Sequence, residues 1–276
     1  MKTLRYIITF ISIATIGFLY LPLAAMALFS FNRAKYGFIW EGFTLNWYIK
    51  LFENQAIIEA AFNTLTLAIV STIVSTIIGS ALAIGMQKFP WSFKTQKSLN
   101  IMLYLPVAIP DIILAAALVI IFGILRGVSS IFNPGLINMI IGHVTFQIAF
   151  VALVVKSRLV SLSSDIEEAA KDLFASRFYI FRRITLPLLS PGIEAGAMLA
   201  FTLSLDDFVI SFFTAGPQSI TLPIYIFGAA RRGVTPQIHA ISTIILLITV
   251  VSVIAAGRLI QKNRQRRSIT KDFTHL

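Results

Sequence analysis

The chain contains no cysteine in 276 residues, which excludes disulfides, Fe–S clusters and thiolate zinc sites. Its three histidines are isolated from one another and offer no ligand cluster. Charged residues make up only 13%, against roughly 25% in a soluble domain, so a water-compatible surface cannot be built from them. No Gly-Lys pair occurs anywhere, so there is no phosphate-binding loop of the G-x-x-x-x-G-K-[ST] kind. Neither H-E-x-x-H nor a Ser/His/Asp grouping is present, and hydrolytic chemistry has no support. The net charge of +11 comes without the aromatic-interleaved basic patch that nucleic acid would need, so no nucleic-acid partner is expected.

Hydrophobic residues are what the chain has most of. They reach 57%, with a mean hydropathy of +0.84, and they cluster in runs of about twenty, the length that crosses roughly 30 Å of hydrocarbon as a helix. Six spans are expected, at 6–29, 64–86, 101–125, 136–156, 191–213 and 240–260. The fold class is therefore all-α, a polytopic membrane bundle forming one transmembrane domain over 1–276. Ala25-Met26-Ala27 mimics a signal cleavage site, but the apolar run before it exceeds the 7–15 residues of a signal, so a retained helix is expected. An inner N-terminus leaves only Arg33, Lys35, Lys50, Arg126, Arg231 and Arg232 outside. Every other basic residue then lies inside, which sets both termini in the cytoplasm.

The loops differ in kind. An outer loop at 30–63 carries Trp40, Trp47 and Tyr48 and suits an amphipathic interfacial segment. Another, at 214–239, holds a short apolar run among Pro217, Pro223 and Pro236, enough for a helix partly packed on the bundle. The inner loop at 157–190 is the one dense in both charge signs. It opens with a capping box, Ser164 as N-cap and Glu167 at N3, with Asp165 at the positive end of the helix dipole. Ile166, Ala169, Ala170, Leu173 and Phe174 follow the i, i+3, i+4, i+7, i+8 pattern of one apolar stripe. A second short helix is expected to stop at Leu186, before Pro187 and Pro191. From these residues alone the loop is either a surface helix resting on the bundle or a protruding element that enters a partner's groove.

Glu168-Ala169-Ala170, followed by Ile184-Thr185-Leu186-Pro187, resembles the EAA loop of ABC-importer permeases. The resemblance implies a type I permease fold and a coupling role. Glu168, Ala169 and Ala170 would meet the ATP-hydrolysing subunit, while Ile184, Leu186 and Pro187 close the motif. One position departs: where the family has Gly, four residues after the second Ala, this chain has Phe174. Further stretches are similar to the spermidine/putrescine importer permeases, specifically the second of their two paired subunits. They are Trp47-Tyr48, Pro110-Asp111-Ile112, Ser204-Leu205-Asp206-Asp207-Phe208 and Leu222-Pro223-Ile224-Tyr225. The resemblance implies a bacterial inner-membrane location and a heterodimer with a sister permease. It also implies two ATPase subunits and an outer polyamine-binding protein. This chain itself would bind no cofactor, since ATP and Mg would sit on the ATPase.

A carboxylate inside a span costs roughly 2.5–3.5 kcal/mol, so it usually faces a cavity or a partner. Asp111 falls near midplane by a straight count along the third span, just after Pro106 and Pro110 break that helix. Asp206 and Asp207 lie nearer the outer end of the fifth. Asp207 shares a stripe with Ser204 and Ser211 and is the expected lumen-facing member; Asp206 sits above Thr202, at a possible subunit contact. No Lys or Arg lies within these spans. Asp111 and Asp207 are the expected lining of a polycation path, with Ser204 as a hydrogen-bonding residue and Trp47 near the outer entrance. The alternative is that one or more of these acids cap backbone amides at a helix break. His143, with Gln147 one turn on, reads as an interhelical hydrogen-bonding residue. Rival functions are a permease for ferric iron, thiamine or phosphonate, and a secondary transporter working without ATP.

Overall fold

A computed structural model describes residues 2–34, 39–163, 165–233 and 235–251. It is helical, with no strand among the described residues beyond a single bridge between Asn32 and Phe43. The chain divides into two compact units, 1–58 with 225–276, and 59–224.

In the first unit, α1 (Lys2–Phe29) turns apolar side chains outward nearly all round, as a helix solvated by hydrocarbon must. The turn after it is tied to α2 (Asn46–Glu53) by side chains. Ser30 Oγ lies 2.7 Å from Tyr48 Oη, and Trp47 Nε1 donates to Asn32 O at 2.7 Å. α11 (Leu222–Arg231) lies within the 214–239 loop, and α12 (Pro236–Val251) buries Ile238, Ala240 and Ile241. The expected sixth span lies only partly within the described residues, and the basic residues from Arg258 onward lie outside them.

The second unit carries the long helices. α3 (Gln55–Lys88) starts nine residues earlier than its apolar run and at 34 residues is about 51 Å long. α4 (Phe93–Ala108) and α5 (Asp111–Leu125) meet at a 106° bend. Pro110 removes an amide there, and Ile109 is extended as a pre-proline residue prefers. The straight count that set Asp111 at midplane does not apply to a path bent this sharply. α6 (Leu136–Val160) is the buried centre, flanked by α9 (Leu186–Asp206) and the short α10 (Val209–Thr214). Among the described residues four helices are long and apolar enough to cross a membrane, five with the bent pair counted as one.

One expectation fails instructively. Pro187 and Pro191 do not stop the chain: α7 (Asp165–Asp172) is followed by α8 (Arg177–Ile180), one wide π turn at Phe181–Thr185, and then α9. The Leu186 amide reaches back five residues to Phe181 O. That wider turn accommodates the Pro187 ring next to it, where a regular turn would clash. The fifth span therefore begins before Pro191, as the last part of a helical run over Arg177–Asp206.

Packing across α6 relies on small residues. A Cβ on Gly79 would lie 2.8 Å from Val151 Cβ and 2.9 Å from Ile148 O, and one on Gly192 would lie 2.7 Å from Arg158 Cβ. Close backbone approach of this kind is how helices associate where lipid supplies no hydrophobic force. Gly79→Ala should destabilise the solubilised protein by about 1–3 kcal/mol through overpacking. Gly85→Ala, at a position with open space, should be neutral or stabilising; equal melting temperatures for the two variants would contradict this packing.

Candidate functional site

The two faces of α9 set the chemistry of the second unit. Gly192, Gly196, Ala200 and Ser204 recur every fourth residue and are buried, with Gly196 against Val151 of α6. Glu194, Met198, Thr202 and Asp206 recur at the same interval on the opposite side and are exposed. Asp206 is thus the exposed member of the acidic pair, as a residue at a subunit contact would be, and Asp207 the inward one. The stripe of Ser204, Asp207 and Ser211 does exist, but it faces His143 on α6.

That cluster is built at a break in the helix. α9 ends at Asp206, Asp207 is extended (φ −62°, ψ 124°), and α10 begins two residues later. The Asp207 carboxylate accepts from the amides of Ile210 at 3.4 Å and Ser211 at 2.8 Å, groups that the break leaves without helical partners. His143, fully buried, places Nε2 3.2 Å from Asp207 Oδ2 and 3.0 Å from Ser211 Oγ. Its Nδ1 lies 2.7 Å from Ser204 Oγ, which is 3.3 Å from Ser71 Oγ of α3. Nε2–H donates to the Asp207 carboxylate, and Nδ1 shares a hydrogen bond with the Ser204 hydroxyl. One turn on, Gln147 Nε2 donates to Ala200 O at 3.0 Å. His143 and Gln147 are interhelical hydrogen-bonding residues, and Asp207 is a cap at a helix break.

The other expected path residues are placed apart from this cluster. Asp111 is the exposed first residue of α5, in its first turn after the bend, where the helix dipole favours a negative charge. Trp47 belongs to the other unit, half-buried, with Lys50 Nζ 5.1 Å from its ring centroid.

The loop at 157–190 is organised by a residue that the motif does not include. Glu167 takes Lys88 Nζ on both carboxylate oxygens, at 2.5 and 2.6 Å, and accepts from Thr185 Oγ1 at 2.7 Å. These bonds pin α7 to the end of α3 and to the π turn. Ser164, the expected N-cap, lies outside the described residues, and with it the expected capping box; the Glu167 oxygens are engaged by Lys88 and Thr185. Glu168 and Ala169 remain exposed and Ala170 is buried, while in the closing motif Ile184 is half-buried and Leu186 and Pro187 are exposed. The expected apolar stripe is therefore not one buried face: Leu173 and Phe174 are 82% and 97% exposed.

α7 closes in a Schellman motif, with Ala175 N bonded to Ala170 O at 3.0 Å and Phe174 N to Lys171 O at 2.9 Å. Phe174 occupies the left-handed position, φ 56°, as the one non-glycine residue with positive φ among the described residues. The turn that glycine would make is retained, at a cost of about 1–2 kcal/mol for a side chain there.

Comparison with known proteins follows this geometry. Residues 75–269 match the family described as binding-protein-dependent transport system inner membrane component. The chain is 37% identical over 253 residues to the spermidine/putrescine transport system permease protein PotC of Escherichia coli (strain K12), covering 92% of this chain and 93% of that one. It is 36% identical to the putrescine transport system permease protein PotI of the same organism, covering 90% and 89%. A more distant relative, at 28%, is the putative 2-aminoethylphosphonate transport system permease protein PhnV of Salmonella typhimurium (strain LT2), covering 92% and 94%. The fold is similar to that in a crystal structure of a bacterial ABC transporter that imports alginate, with TM-score 0.75 at 20% identity, covering 94% and 95%. Fold and break-centred site define a helical transport permease of the type I class. The chain belongs to the family of binding-protein-dependent transport system inner membrane components.

The Glu167 clamp makes a pH prediction. Burial raises the Glu167 carboxyl, but the hydrogen bonds from Lys88 and Thr185 and the Lys88 and Lys171 charges outweigh it, holding the group below its ordinary 4.5. A lowered folded value means that the clamp is at full strength above 4.5 and is lost as pH falls through the lowered value. Because the chain lacks cysteine, Asp172→Cys can carry a single nitroxide. Its mobility should stay low from neutral pH to about 5 and rise below 4.5, whereas Lys88→Met should leave it mobile at neutral pH. A label unchanged down to pH 3 would contradict the clamp.

Proposed function

We propose that the chain is a permease subunit of an ATP-driven importer that carries polyamines into the bacterial cytoplasm. The observation that carries this reading is the near full-length similarity to the spermidine/putrescine and putrescine permeases. The charge pattern supports it: Asp206 and Asp111 are exposed on α9 and α5, and neither helix contains Lys or Arg. An anionic cargo such as a phosphonate would want the opposite lining.

On this reading Asp111 and Asp206 attract the cationic amines as they leave water. Asp207 and Ser204, held by His143, shape the wall behind them. Trp47 offers its ring at the outer entrance, since it already accepts the Lys50 ammonium over its face. A sister permease completes the path, an outer binding protein delivers the cargo, and two ATPase subunits act from inside on the 157–190 loop. Both termini face the cytoplasm. Closure of the ATPase pair moves the loop, and the Glu167 clamp passes that movement to α3 and α9, switching access from outside to inside.

The test is uptake into proteoliposomes holding the assembled complex, with binding protein outside and ATP inside. Labelled spermidine or putrescine should accumulate and 2-aminoethylphosphonate should not. Asp111→Asn should slow uptake about tenfold, the loss of one charge-assisted contact. Accumulation without ATP or without the ATPase subunit would sink the importer reading, and an unchanged rate for Asp111→Asn would remove Asp111 from the path.

A further inference from the structure

Phe174 is costly to this chain twice over. It holds a left-handed backbone that favours glycine, and its ring is 97% exposed, so among the described residues no packing compensates for the conformation. Leu173 beside it is 82% exposed and Phe178, across the turn, is 69% exposed. The base beneath this apolar prominence is firm. Ala170 and Ile180 are buried, and the bonds among Glu167, Lys88 and Thr185 hold α7 in place. A rigid turn thus presents a strained aromatic ring outward from the helix that also exposes Glu168 and Ala169.

We infer that Phe174 is an anchor inserting into an apolar recess on the ATP-hydrolysing partner, a recess with an acidic rim. This rests on the reading of the 157–190 loop as the element that docks that partner. Continuity argues for this occupant, because the ring sits two residues beyond the end of the helix that exposes Glu168 and Ala169. Charge defines the rim: Lys171 and Arg177 flank the prominence in sequence, Arg182 and Arg183 follow in the π turn, and all four are exposed. An anionic lipid surface fits less well, since exposed Asp165, Glu168 and Asp172 stand on the same helix and would be repelled by it. Buried aromatic anchors dominate the energetics of protein interfaces. An aromatic in place of glycine therefore makes this permease selective for an ATPase with a matching recess.

The test measures binding of the purified ATPase subunit to the permease heterodimer in nanodiscs, alongside the melting temperature of the heterodimer. Phe174→Gly should weaken binding at least tenfold while leaving the melting temperature unchanged or raised, and Phe174→Leu should weaken it less. Wild-type affinity for Phe174→Gly would overturn the proposal. Glu168→Lys separates the two levels. If it weakens binding while Phe174→Gly does not, the anchor fails and the docking reading stands; if neither variant matters, the docking reading itself fails. A loss seen for Phe174→Gly in anionic nanodiscs but absent in neutral ones would assign the ring to lipid and also overturn the proposal.

Discussion

A helix that stops within hydrocarbon leaves amides and carbonyls that no water can satisfy, and each such group costs several kcal/mol. The second unit has two helix breaks, after Ala108 and after Asp206, and its site is the means of closing one of them. Where α9 gives way to α10, the Asp207 carboxylate takes the amides of Ile210 and Ser211. His143 then takes the carboxylate, Ser204 takes His143, and Ser71 reaches Ser204 from α3. Four helices are joined by one chain of bonds, so the break is a fixed feature. At the other break, Pro110 lacks the amide that would need satisfying, and Asp111 starts α5 with its charge at the positive end of the dipole.

This arrangement separates two roles that look alike in sequence. One acidic residue is consumed in holding the backbone; its neighbour, about 100° round the helix, is left exposed. The same division runs the length of α9. Its glycines and Ala200 lie in close contact with α6, while Glu194, Met198, Thr202 and Asp206 stand on the far side. Carboxylates on such a face are costly against lipid and suit a water-filled path or a second subunit. In the 157–190 loop, Glu167 performs what Asp207 performs for the break, committing one carboxylate of an acidic pair to structure and leaving Glu168 exposed.

Much of this was legible from composition and spacing. Apolar runs locate the long helices, Pro110 marks the bend, and the acidic start of α7 marks a helix. The His143–Gln147 pair reads correctly because a polar side chain amid apolar neighbours needs an interhelical partner. Helix ends were less legible: α3 extends through 55–63, where Gln55, Glu59 and Asn63 interrupt the apolar residues, because helical bonding does not require apolar side chains. The continuation through Pro187 could not be foreseen, since a single wide turn is set by backbone register. The burial of Asp207 beside an exposed Asp206 was not legible, because periodicity places residues on faces without saying which face is inside. Ser204 and Ser211 mark a polar stripe, and only the position of His143 makes that stripe the buried one. Phe174 is the converse case: the departure from glycine was visible, but its left-handed backbone and exposed ring were not.

The central claim is the division of labour between adjacent carboxylates, and paired substitutions in the assembled transporter test it most directly. Asp207→Asn should lower the melting temperature by at least about 5 °C, because it weakens a buried hydrogen-bonded pair, with transport falling only as assembly falls. Asp206→Asn should leave the melting temperature unchanged and slow polyamine uptake about tenfold. A stable Asp207→Asn complex that fails to transport, beside an Asp206→Asn complex that transports normally, would contradict the account and return Asp207 to the path.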